Sequence, residues 1–137
     1  MKKQFTNPEA LPSWPDFFTN VVTVTVNNIE TIYISGQIGL DQHKNLVGEG
    51  TLAEQTTQAF KNLSIALTSV GSNLGDVVKL TIFVVNYNSD NLAVIGEAIC
   101  QYFPDQKPAC SLVGVKFLAL EELLIEVEAI AVKQISV

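Results

Sequence analysis

The sequence predicts an α+β domain built on one mixed sheet with two helices on one face. Three observations point there. Five short runs have strand composition and two longer runs carry a 3.6-residue apolar period. They follow the order strand, strand, helix, strand, helix, strand, strand. The chain has 137 residues, 47% hydrophobic and 16% charged, which suits one domain with a core that needs no covalent staples.

Residues 1–17 are expected to form an irregular N-terminal arm. Pro8, Pro12 and Pro15 remove backbone donors and fix φ, which discourages helix and central strand. Trp14, Phe17 and Phe18 would anchor that arm to an apolar surface. Residues 21–26 read VVTVTV and predict a strand, with Val22, Val24 and Val26 opposite Thr23 and Thr25. Asn27-Asn28 marks a turn into a second strand over residues 30–35, ended by Gly36-Gln37-Ile38-Gly39.

Thr51 followed by Glu54 is a capping-box pattern and opens the first helix. Leu52, Ala59, Phe60, Leu63, Ala66, Leu67 and Val70 trace its buried stripe, and Gly71 sits where a C′ glycine stops it. Gln55, Gln58, Lys61 and Asn62 are expected to face outward. Residues 76–86 form a third, central strand, apolar on both faces over 82–85. Ser89 or Asp90 would cap a second helix with Leu92, Ile95, Ile99, Tyr102 and Phe103 inward, ended by Pro104. Residues 109–117 and 123–132 are read as a C-terminal hairpin. Strands this apolar predict that the sheet face without helices is covered by other subunits.

The formal net charge is −6, without a Lys/Arg cluster, which disfavours phosphate-backbone binding. Nucleic acid is therefore an unexpected partner. No run approaches the ~20 apolar residues of a membrane span, and the basic start has no apolar run behind it, so neither membrane insertion nor a signal peptide is expected. Cys100 and Cys110 match no zinc or disulfide spacing. A cytoplasmic protein without metal is the expectation.

The candidate chemistry is sparse. His43, alone in a polar loop, is better read as solvated than as part of a triad or metal site. Cys110 is a nucleophile candidate, with a structural thiol as the favoured alternative. Glu126 and Glu128 lie two apart on the last strand, so both carboxylates share one face. Parallel neighbours do not flank a substrate as glycosidase carboxylates do. A solvated face is the default, and a single general acid/base at a subunit interface is the alternative.

Several runs together resemble the RidA/YjgF reactive-intermediate deaminase family. They are Ile34-Ser-Gly-Gln-Ile-Gly-Leu-Asp41, Gln55-Thr56 with Asn62-Leu63, Gly75-Asp-Val-Val-Lys79 with Thr81 and Phe83, Pro108-Ala109, and Ile125-Glu-Val-Glu-Ala-Ile-Ala131. The resemblance implies a chorismate-mutase-like single domain with a mixed six-stranded sheet and two helices on one face. It also implies a homotrimer with small-molecule pockets between subunits, and hydrolysis of enamines or imines to 2-oxo acids and ammonia without a cofactor. Relatives have also been described as endoribonucleases and translation inhibitors.

The implied pocket comprises Phe18, Ser35, Gly36, Cys110, Ser111, Leu112 and Glu126. Glu126 matches the family's water-positioning glutamate. Cys110 occupies the place of the arginine that grips a substrate carboxylate, Leu112 that of a cysteine, Phe18 that of a tyrosine, and Gly96 that of an asparagine. A charge-assisted hydrogen bond contributes ~1.5–3 kcal/mol. Its loss predicts a pocket that binds or hydrolyses a small carbonyl or imine compound and turns over 2-iminobutanoate poorly. A genuine imine deaminase and a non-catalytic binding or chaperone-like module are the alternatives. Ribonuclease is the least favoured.

Overall fold

A computed structural model describes residues 1–136. Six strands form one sheet in the order β1-β2-β3-β6-β4-β5. They are β1 (Lys2–Thr6), β2 (Val21–Val26), β3 (Ile29–Ile38), β4 (Val77–Val85), β5 (Ala109–Val115) and β6 (Ile125–Gln134). Helices α1 (Leu52–Ser69) and α2 (Ser89–Tyr102) cover one face, and a 3-10 turn, Leu74–Asp76, leads into β4.

The β-branched alternation of β2 does what period-2 patterning requires. Val21 and Thr23 are buried, while the intervening valines sit on the open face. Helix α1 begins where its cap predicts. The Thr51 hydroxyl accepts from the Glu54 amide at 3.2 Å, and Gly71 ends the helix at φ 70°. Phe60 is fully buried, stacked on Tyr102 at 5.1 Å and edge-on to Phe103 at 6.3 Å. That cluster ties α1 to the end of α2; truncating such a ring costs ~3–5 kcal/mol.

The structure corrects four sequence expectations. The arm is not irregular throughout, because residues 2–6 form β1, an edge strand antiparallel to β2. The prolines act only from Pro8 onward, and a short exposed strand has no hydrophobic alternation to announce it. Gln55 and Asn62 face inward, at 0% and 1% exposure, because each spends its amide on backbone groups beneath the helix. Leu92 is exposed, and Asn88 rather than Ser89 or Asp90 caps α2, accepting from the Asp90 amide at 2.9 Å.

The fourth correction concerns the C-terminal hairpin. β5 and β6 are not neighbours, since β4 lies between them. β5 pairs with β4 in parallel, as a right-handed crossover through α2 requires. β6 fills the slot between β3 and β4, antiparallel to both. β3 and β4, the strands flanking α1, therefore do run parallel, but with β6 inserted.

Apolar side chains also populate the sheet face opposite the helices. Phe5, Val22, Tyr33 and Ile130 lie in register across β1, β2, β3 and β6, and Phe83 and Val113 continue the face on β4 and β5. Tyr33 is 48% exposed and Phe5 68%.

Candidate functional site

The ladder between β3 and β6 breaks once. Ile34 pairs with Ala129, but the next pair is Gln37 with Val127, so Ser35 and Gly36 bulge out of register. The chain before β2 folds against this bulge. The Ser35 hydroxyl donates to the Thr19 carbonyl at 2.6 Å and the Ser35 amide to the Asn20 carbonyl at 2.9 Å. Gln37 donates to the Ser35 carbonyl at 2.9 Å, and Asn20 donates to the Pro12 carbonyl at 3.1 Å. These bonds hold Trp14, Phe17 and Phe18 over the bulge.

A cleft of about 310 Å³ lies there. Its floor is Gly36, Gln37, Ile38 and Glu126. One wall is the aromatic arm with Pro12 and Asn20, and the other is Ala119, Leu120 and Leu123 from the loop between β5 and β6. Two buried polar residues of α1 fix the surroundings. Gln55 donates to the Glu122 carbonyl at 2.9 Å and accepts from the Leu124 amide at 2.8 Å, which positions the loop wall. Asn62 donates to the Ile38 and Leu40 carbonyls, both at 2.9 Å, which positions the end of β3.

Among the described residues Glu126 is the only charged one lining the cleft. Its half-buried side chain lies across the Gly36 backbone. A Cβ at Gly36 would stand 2.6 Å from the Glu126 Cγ and closer still to its carboxylate, so only glycine leaves that space. Among the described residues no donor hydrogen-bonds this carboxylate. Burial pushes its pKa above the ordinary glutamate value, and the charge of Glu128 adds to the rise. Glu128 itself is exposed, as expected of a solvated position.

The structure thus brings Phe18, Gly36 and Glu126 together and tethers Ser35 beside them. It does not bring Cys110, Ser111 or Leu112 to the same place within one chain. Cys110 is level with Leu80 and Glu126 with Phe83, two strands across and three residues along. At standard strand spacing and rise that is ~14 Å. The two side chains also leave opposite faces of the sheet, because 80 and 83 differ by an odd number. Cys110 is therefore not on the strand adjoining Glu126.

Ser111 accepts from the Lys79 ammonium at 2.9 Å on the open face, while Leu112 packs against the core. Burial raises the Cys110 pKa, against a smaller lowering by Lys79, so the thiol is a weaker nucleophile than an ordinary one. His43 is exposed in its loop, where its backbone amide donates to the Asp41 carboxylate at 2.8 Å. Among the described residues no group of three or more His, Cys, Asp or Glu side chains converges to hold a metal, and no helix is long and apolar enough to cross a membrane.

Sequence reasoning missed the loop wall. Its signal was two apolar clusters, Leu118-Ala119-Leu120 and Leu123-Leu124, flanking Glu121-Glu122 in a connection that needed none for a tight turn. Asn20 and Gln37 carried no signal of their own, since their role is to hold the arm on the bulge.

Fold and cleft define a class: single-domain α+β proteins in which an aromatic-walled cleft holds one unpaired carboxylate over a glycine bulge. The chain belongs to the RidA/YjgF family, and the family model described as Endoribonuclease L-PSP matches residues 17–133. It is 36% identical over 103 residues to a RutC family protein of Pyrococcus abyssi, covering 75% of this chain and 79% of that one. It is 37% identical over 103 residues to the human 2-iminobutanoate/2-iminopropanoate deaminase, covering 75% of this chain and 73% of that one. Among solved structures, RidA from the Antarctic bacterium Psychrobacter superposes with a TM-score of 0.79 at 28% identity, covering 93% of this chain and 98% of that one. The yeast protein YEO7 superposes with a TM-score of 0.83 at 31% identity, covering 97% and 100%.

Proposed function

We propose that this protein is a homotrimeric, cofactor-free hydrolase of small imines, with Glu126 handling the proton in a cleft that a neighbouring subunit completes. The observation that carries the proposal is the unpaired, half-buried Glu126 carboxylate lying over Gly36 in an apolar cleft. A carboxylate whose pKa is raised by burial is a stronger base than an exposed one, and as the acid it can return the proton it accepts.

The steps need only water. Glu126 accepts a proton as the water oxygen bonds to the imine carbon, and the π pair moves to nitrogen. The resulting carbinolamine takes the proton on nitrogen. Glu126 then takes the hydroxyl proton and passes it to the nitrogen as the C–N bond breaks, so that ammonia leaves and the oxygen becomes the carbonyl. The apolar walls exclude bulk water, and Gly36, with no side chain, lets the substrate approach the backbone of the bulge. The apolar open face and the unpaired edge of β5 support assembly. In a trimer, β5 of a neighbour would bring Cys110 to the cleft as lining rather than as nucleophile.

Cys110 in place of the arginine predicts weak activity on imines bearing a carboxylate. The test is 2-iminobutanoate generated in situ, with wild type compared with Cys110→Arg. Activity gained in the variant supports the reading, and full wild-type activity overturns the claim about the arginine. A stable monomer by light scattering would overturn the shared cleft.

A further inference from the structure

We infer that the cleft selects a cationic, carboxylate-free substrate, the iminium of an apolar amine, and this rests on the hydrolase reading above. The first observation is compositional. None of the 137 residues is arginine, so no copy of this chain in a homo-oligomer can offer a guanidinium to an anion. The second is the lining. Among the described residues of one chain no lysine borders the cleft, and the charged group lining it is the Glu126 carboxylate. A substrate carboxylate would meet that like charge without a guanidinium to grip it, which costs binding.

The third observation is the aromatic wall. Trp14, Phe17 and Phe18 line the cleft, and ring faces attract cations, more so where water is excluded. The wall already does this within the chain, for the Lys44 ammonium stands 4.8 Å from the Trp14 ring centroid without lining the cleft. An ammonium or iminium entering the cleft gains the Glu126 charge and the rings together. The apolar surfaces of Ile38, Leu120 and Leu123 then suit a hydrocarbon substituent.

The cleft's place in a reaction sequence follows from that chemistry. Imines without a carboxylate arise when a primary amine is oxidised by loss of two electrons and a proton pair. Hydrolysis consumes one water and delivers an aldehyde and ammonium. The protein would thus act after an amine oxidation rather than after an amino-acid elimination.

Trp14 is the only tryptophan, so its fluorescence reports the cleft directly. Benzylammonium and benzoate are titrated into wild type and Glu126→Gln, with circular dichroism confirming that the variant is folded. The expected result is saturable quenching by benzylammonium, weakened about tenfold or more in Glu126→Gln, and none by benzoate over the same range. Benzoate binding as tightly as benzylammonium, or an unchanged benzylammonium affinity in Glu126→Gln, overturns the inference. Turnover is then compared for the imine made from benzylamine by an amine oxidase and for 2-iminobutanoate. Faster hydrolysis of 2-iminobutanoate overturns the cation preference while leaving the hydrolase reading intact. Selective benzylammonium binding without hydrolysis of either imine supports the cation site and overturns the hydrolase reading.

Discussion

Gly36→Ala separates catalysis from stability at one atom. The Cβ it adds falls within the Glu126 side chain, 2.6 Å from Cγ, and meets no other obstacle that close. What it strikes is the flexible end of a side chain, so the carboxylate must swing aside. An off-rotamer glutamate costs ~0.5–1.5 kcal/mol. Gly36 has no left-handed φ, so alanine fits the backbone and gains ~0.4–1 kcal/mol by restricting the unfolded chain. The terms nearly cancel, and Tm should stay within about 5 °C of wild type. Displacing a general acid/base lowers kcat by ~10²–10⁴-fold.

The assay is imine hydrolysis beside thermal unfolding. Gly36→Ala/Glu126→Asp, one methylene shorter at the clash, should recover part of the loss. Gly39→Ala is the contrast. Its Cβ would stand 2.9 Å from the Gln55 Cα, which is backbone, so α1 must move at a cost of ~1–3 kcal/mol. Wild-type kcat in a folded Gly36→Ala protein would refute the role given to the carboxylate over that glycine, and a collapse in Tm would refute the energetics.

Three further predictions rest on the same contacts. Because the Glu126 pKa is raised on folding, its contribution to stability is fully present below the ordinary glutamate pKa and is lost as pH rises through the raised one; Glu126→Gln should therefore raise Tm at neutral pH and have its gain vanish in acid, which a Tm–pH series reads directly. Lys133 stands 3.4 Å from Glu30 and donates to the Val70 and Gly71 carbonyls at the end of α1, so Lys133→Met should cost ~2–4 kcal/mol by urea unfolding, with part recovered in Lys133→Met/Glu30→Gln. Asn62→Leu leaves the Ile38 and Leu40 carbonyls without a donor under α1 and should cost ~2–4 kcal/mol by the same measurement.

Much of the fold was legible because its signals are local. The valine alternation of β2, the Thr51 cap and the Gly71 stop depend on residues within a turn or two of each other, and each appears where its neighbours require. Gln55 and Asn62 were read outward because polarity is a local cue, whereas satisfaction is not. Their amides find Glu122, Leu124, Ile38 and Leu40 only after strands and loops have docked on α1.

The candidate site divides along the same line. Glu126 stood out in sequence as a carboxylate on an apolar strand, and Gly36 as a glycine at the end of another. By itself the sequence determined both helices and every strand but β1, the alternation that puts Glu126 on the open face, and the absence of any arginine to oppose its charge. Tertiary structure decided the strand order, and with it what Glu126 can touch. Two consecutive strands read as a hairpin until the crossover through α2 claims the place beside β4 for β5, leaving β6 the slot whose two edges are both unpaired. Hydrogen-bonding edges far apart in the chain make that choice, and it sets the Glu126 carboxylate against Gly36 and the aromatic arm rather than against Cys110.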